Sequence, residues 1–124
     1  MRSVLMIAPL LLLGSAAGSQ PVAAPVQTIA LYSFGYGPNP IVLNAGRAVT
    51  LSFVNKSGSS HDFTAPAFFG RARILAGSAP GGEIELRGGE ARSVTLVPAA
   101  GRYRVHCSHP FHSMFGMHTE VVVR

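Results

Sequence analysis

Eleven consecutive residues hold most of the reactive side chains of this 124-residue chain: Cys107-Ser108-His109-Pro110-Phe111-His112-Ser113-Met114-Phe115-Gly116-Met117. They contain the only cysteine, two of the five histidines and two of the four methionines. A thiolate, imidazoles and a thioether on a short tether form a soft donor set that suits copper. Two His, one Cys and a distant axial Met are the donors of an electron-transfer copper centre. Zinc fits less well, because thioethers add little to a zinc site.

Strand-like sequence flanks the loop, and side chains alternate faces along a strand. In the run from Gly101 to Cys107, Tyr103 and Val105 share a face with Cys107, whereas Arg102, Arg104 and His106 share the other. Cys107 is therefore expected to point inward. Beyond the loop, Met117 is in phase with Val121 and Val123, while His118 is in phase with Glu120 and Arg124. Met117 is expected to point in and His118 out. Met114, the rival thioether, lacks that phase and does not follow Gly116. His109 competes with His112 for an imidazole position, but a single residue separates it from Cys107 and leaves little chain to wrap around one metal.

The pattern Gly101-x-Tyr103-x-x-x-Cys107, then His112, Met117 and a Val-rich last strand, resembles the copper loop of the plastocyanin/azurin class of cupredoxins. The interval from Cys107 to His112 is like that of azurin, and the interval from His112 to Met117 is like that of plastocyanin. Residues 40–55, which lead into a polar loop and then His61, resemble the first half of the same family. A lone His after a loop is usually an ordinary surface residue, but the resemblance puts His61 at the position of the N-terminal copper ligand. It thus implies a metal set of His61, Cys107, His112 and Met117, with His109 and Met114 as rivals, around one ion cycling between Cu(I) and Cu(II). A purple binuclear centre would need a second cysteine where Phe111 stands, and is excluded.

Composition bounds the rest. The chain is 48% hydrophobic and 12% charged, with 14 Gly and 9 Pro, as expected of one small domain. Met1-Arg2, the apolar stretch from Val4 to Leu13 and the small residues Gly14 to Gly18 have the three parts of a secretory signal. The apolar run is short for a membrane span. The expected organisation is a signal peptide over 1–18, a loose Ala- and Pro-rich lead over 19–26 and the cupredoxin-like domain over 27–124. The product is expected in the periplasm or outside the cell, as a monomer. A lone thiol in an oxidising compartment needs a reason, and metal ligation supplies one. The net charge is +5, with nine arginines scattered rather than clustered. Nucleic-acid binding is therefore not expected, whereas an acidic redox partner such as a cytochrome or reductase is.

Short strands account for most of the remaining sequence. Residues 27–34, 41–43 and 83–87 read as strands, as does 91–97, and 48–55 alternates cleanly with Val49, Leu51 and Phe53 on one face. Residues 36–40 read as a turn cluster, and 67–76 as a short helix with Phe68, Arg71 or Ala72 and Leu75 on one side, or else as a packed loop over the sandwich edge. Seven or eight strands without a strong helix imply an all-β Greek-key sandwich. No Ser/His/Asp arrangement, paired carboxylates or phosphate loop suggests an enzyme. Three readings compete: a single-electron carrier, a copper chaperone or storage protein using His106, His109, His118 and Met114 as extra ligands, and a structural sandwich that keeps the fold without metal. Pro110, Phe111, Met114 and Phe115 are expected to rim His112, with Arg102, Arg104 and His106 as a basic flank.

Overall fold

The computed structural model describes residues 23–124 and, ahead of them, only Met6, residues 8–10 and Gly14. The expected signal segment and residues 19–22 of the lead thus lie largely outside the described residues.

Two five-stranded mixed sheets form a sandwich. One has the order β2-β1-β4-β8-β6, with β1 at Val26–Tyr32, β2 at Gly35–Gly37, β4 at Val49–Asn55, β6 at Arg73–Ala76 and β8 at Ala91–Val97. The other has the order β3-β10-β9-β5-β7, with β3 at Ile41–Leu43, β5 at His61–Thr64, β7 at Glu83–Leu86, β9 at Gly101–His106 and β10 at His118–Val123. Two neighbouring pairs are parallel, β1 with β4 and β3 with β10, and the rest are antiparallel.

Alternation in the sequence becomes burial in the sandwich. Val49, Leu51 and Phe53 of β4, Ile29 and Leu31 of β1, and Tyr103 and Val105 of β9 enter one core with Val121 and Val123 of β10. Burying each large apolar side chain is worth about 1.5–3 kcal/mol relative to exposure.

Among the described residues the strands number ten, more than the expected seven or eight. The additional pieces carry little periodic signal: β2 has three residues, and all four residues of β6 are exposed. Of the two readings of residues 67–76, the short helix forms, but over fewer residues. A short helix, α1 at Pro66–Arg71, begins with a proline in its first turn and turns Phe68 and Phe69 into the core, after which the chain becomes extended as β6. The aromatic rings of Phe53, Phe63, Phe69 and Phe68 form a chain of contacts with centroids 4.8–6.0 Å apart.

The order β10-β9-β5 decides where the loop residues go. β9 is antiparallel to both neighbours, with His106 opposite His118 on one side and Thr64 on the other. Cys107, one step past β9, therefore lies opposite Met117, and β5 continues past them to His61.

Candidate metal centre

Asn55, fully buried at the end of β4, shapes the approach to His61. Its side-chain amide donates to the carbonyls of Ser59 and Leu86 at 2.8 and 3.1 Å, while its carbonyl oxygen accepts from the Ser57 N–H and hydroxyl at 3.0 and 2.8 Å. All the hydrogen-bonding capacity of one buried side chain thus goes into the polar loop 56–60 and the end of β7. That loop delivers His61 into the sandwich end with its Nε2 3.2 Å from the Ser59 hydroxyl. A proton on Nε2 donated to Ser59 leaves the Nδ1 lone pair free, and a partner on the second ring nitrogen is the usual way to set a ligand tautomer.

The long loop supplies the remaining donors. Cys107 Sγ is buried 3.3 Å from His112 Nδ1, and His112 Nδ1 is 3.1 Å from His61 Nδ1. The donor atoms of His61, Cys107 and His112 all lie within 4.8 Å of one another. The loop curls tightly on His112: its N–H donates to the His109 carbonyl at 3.2 Å, and its own carbonyl accepts from Phe115 and Met117 at 3.2 and 3.1 Å. Cys107 N–H in turn donates to the Met117 carbonyl at 3.1 Å, tying the two loop ends together. Gly116 precedes Met117 with φ +94°, a backbone state that L side chains rarely adopt, and this bend returns the chain to β10. Met117 itself is fully buried, whereas Met114 is 78% exposed.

His109 forms a second group with Cys107 and Asp62, whose ligand atoms also lie within 4.8 Å of one another. Its Nε2 sits 2.8 and 3.1 Å from the two Glu85 carboxylate oxygens and 3.7 Å from Asp62 Oδ2. Its ring stacks on His112 at 5.3 Å with 15° between planes. The structure therefore gathers His61, Cys107 and His112, holds His109 behind His112 and leaves Met114 outside.

Two residues around this cluster escaped the sequence reading. Asp62 is completely buried, yet its carboxylate accepts from the Thr64 hydroxyl at 2.7 Å, the Ser108 N–H at 2.9 Å and the Ser108 hydroxyl. Its backbone N–H points at Cys107 Sγ from 3.4 Å. Burial alone would raise the Asp62 pKa, but the donors from Ser108 and Thr64 outweigh it and hold the group below its ordinary range. Phe34 is the other. At the turn between β1 and β2, with φ +64°, it sets its ring edge-on to His112 at 5.5 Å and to His61 at 6.5 Å. An Asp in strand phase with the polar Ser60 and Thr64, and a Phe at the end of an expected strand, carry no sequence signal for either role.

The electrostatics favour a metal over protons. Burial first, then the neighbouring His112 and His109, lowers the His61 pKa, so its imidazole is neutral near pH 7 and free to donate. Burial raises the Cys107 thiol above its ordinary value, while the N–H groups of Asp62 and His109 oppose that rise. A thiol in such a site gives up its proton to a cation that bonds the sulphur directly. Two imidazole nitrogens sharing a metal at about 2.0–2.1 Å stand roughly 3.3–3.6 Å apart. The 3.1 Å separation of the two Nδ1 atoms is close to this, so the donor spacing fits a metal ion after an opening of a few tenths of an ångström.

Comparison with known proteins agrees with this fold. The family model described as a cupredoxin-like domain matches residues 3–123. No curated protein matches the chain. Among solved structures, dithionite-reduced auracyanin from Roseiflexus castenholzii superposes with a TM-score of 0.60 at 19% identity, over 82% of this chain and 98% of that one. Auracyanin A, a blue copper protein of Chloroflexus aurantiacus, gives 0.56 at 21% identity, over 80% and 99%. A multicopper oxidase from Campylobacter jejuni gives 0.62 at 14% identity, but only 31% of its length is covered. At these identities the likeness is one of fold, to whole small proteins in two cases and to part of a larger chain in the third.

Proposed function

We propose that this chain, which belongs to the cupredoxin-like family, carries single electrons through one copper ion held by His61, Cys107 and His112, with the Met117 thioether as a weak axial donor. The observation that carries this reading is the convergence of Nδ1, Nδ1 and Sγ within 4.8 Å at one end of a rigid sandwich. Copper in such a donor set supplies a one-electron couple between Cu(I) and Cu(II). The chain's part is to keep the donors still. Cys107 is fixed by β9 and the Met117 carbonyl, and His61 by β5 and Ser59. His112 is fixed by three loop hydrogen bonds and two flanking rings. Donors held by packed strands and a tightly bonded loop do not rearrange when the charge at the centre changes.

His112 also links the centre to the outside. It is half-buried, and Phe111, Met114 and Phe115 around it are 66%, 78% and 66% exposed. An apolar rim about one ligand ring gives a redox partner a dry surface of approach. The protein is a carrier rather than an enzyme in this reading. It is exported after removal of the N-terminal segment, works as a monomer, and meets an acidic cytochrome or reductase.

Reconstitution with copper(II) tests the proposal. The first equivalent is expected to give an intense thiolate-to-copper band and a reversible potential, and Cys107→Ser to abolish the band while the far-UV circular dichroism stays that of a sandwich. Weak absorption from the wild-type protein at the first equivalent, or an intense band surviving in Cys107→Ser, overturns it.

A further inference from the structure

The residues immediately outside the loop donors are both histidines. His106 precedes Cys107 and His118 follows Met117, and the two histidines stand opposite each other in the antiparallel ladder of β9 and β10. Cys107 and Met117 are buried, so the neighbouring positions project to the opposite, solvent face, and both His106 and His118 are exposed. The ladder's phase is also known. Cys107 N–H donates to the Met117 carbonyl, while His118 N–H turns away to the Gly116 carbonyl at 2.9 Å. The 107/117 pair is thus a hydrogen-bonded pair, and the 106/118 pair is the alternate, non-bonded kind. Such pairs bring their Cα atoms to about 4.5 Å and their side chains closest together.

Two imidazoles on one face at that spacing can reach a common ion. They open onto a recess of about 410 Å³ lined by Arg104, Val105, His106, His118 and Thr119. Of these, the Thr119 hydroxyl donates to Asn39 Oδ1 at 2.6 Å and is spent. The one charged lining residue, Arg104, faces Glu120 in the register, and Glu120 also pairs with Arg102 at 3.2 Å. The face keeps the Arg104 charge, because the Glu120 carboxylate is taken by Arg102. What it offers is a pair of nitrogen donors with open positions for water. Imidazole suits copper, zinc and nickel, and the divalent stability order puts copper(II) first.

We propose that His106 and His118 form a second, surface metal site, a cross-strand chelate for a divalent transition-metal ion with copper(II) preferred over zinc(II). No thiolate or thioether takes part, so an ion there is held by two imidazoles and water and adds no intense colour. The strand pair then carries metal donors on both faces: Cys107 and Met117 toward the core, His106 and His118 toward solvent. Chelation makes the two histidines interdependent, because one imidazole left alone is an ordinary surface histidine.

The test is a copper(II) titration of protein already holding one equivalent, followed by calorimetry and electron paramagnetic resonance. A second equivalent is expected, with a nitrogen-split signal and no gain in the thiolate band. His106→Asn, His118→Asn and the double variant are each expected to weaken it by at least about tenfold, roughly 1.4 kcal/mol, the double no more than either single. His109→Asn should retain it. Absence of the second equivalent from the wild type, its persistence in His118→Asn, or its loss in His109→Asn overturns the proposal. In Cys107→Ser, where His61 and His112 still offer nitrogen to copper(II), the chelate is the nitrogen-split equivalent lost on adding His118→Asn, so it is read even if the electron-carrier reading fails. Unchanged melting temperatures of the single variants establish that the loss is not unfolding.

Discussion

His112 is confined on two ring faces and along its backbone. The His109 ring stacks on it, Phe34 meets it edge-on, and its carbonyl is taken by Phe115 and Met117. Removing the ring should leave a lined hole at the surface. His112→Gly is therefore expected to lose the thiolate band and to regain absorption when imidazole is added. His109→Gly should keep a band of similar intensity, because its Nε2 is committed to Glu85. Optical titration of both variants with imidazole checks this, and rescue of His109→Gly instead of His112→Gly would reverse the ligand assignment. The inward phase of Cys107 and Met117 was legible because strand parity is a rigid rule. The roles of Asp62 and Phe34 were not, because they depend on contacts far apart in sequence: Asp62 reaches Ser108, and Phe34 reaches His112 from a left-handed backbone state that costs a bulky residue roughly 1–2 kcal/mol.

At the scale of elements, the sheets are joined at the metal end by one buried hydroxyl. Tyr36 of β2 donates to the Asp62 carbonyl of β5 at 2.6 Å and packs edge-on against Phe63 at 5.7 Å. Burial first, then the nearby Cys107 and Asp62, raises the Tyr36 pKa far above the ordinary phenol value, so the folded protein keeps it neutral. A group whose folded pKa is raised contributes its full stability below the unfolded value of about 10 and loses it as pH rises beyond that. Tyr36→Phe is expected to cost about 1 kcal/mol at neutral pH and to flatten the alkaline fall in stability. Urea midpoints of the metal-free proteins between about pH 8 and 11 measure both, and parallel curves for the two proteins would refute the second effect. β4 was legible in sequence because it is long and half-buried, so its alternation is complete. β2 and β6 were not, since three residues hold no period and a strand exposed on every residue shows no contrast. Helix α1 was legible only as one of two readings for a related reason: six residues with two adjacent phenylalanines make less than two turns of pattern.

The whole molecule carries a net charge of +5, and its distribution about the metal end refines the expectation of a basic flank. Cys107 lies five residues beyond Arg102 and three beyond Arg104, or about 17 and 10 Å at the usual strand rise. Arg102 is moreover paired with Glu120, whereas Arg104 has no ion pair among the described residues. On the far side of the loop Glu85 sits beside His109, so the rim around His112 is basic toward β9 and acidic toward β7. A partner drawn by charge should then approach from the β9 side, and only charges within about a Debye length of the rim, roughly 8–10 Å at physiological salt, act strongly in the final encounter. Arg104→Glu is accordingly expected to slow electron transfer to an acidic partner several-fold at low ionic strength, Arg102→Glu to do so less, and Glu85→Gln to quicken it slightly. Salt should compress all three differences, since rim charges act on association more than on the docked complex. Stopped-flow rates against ionic strength, with the copper band recorded to show that the centre is unaltered, decide the matter. Equal slowing by Arg102→Glu and Arg104→Glu would mean that net charge steers the encounter, and insensitivity to both would leave the apolar rim of Phe111, Met114 and Phe115 as the whole basis of docking.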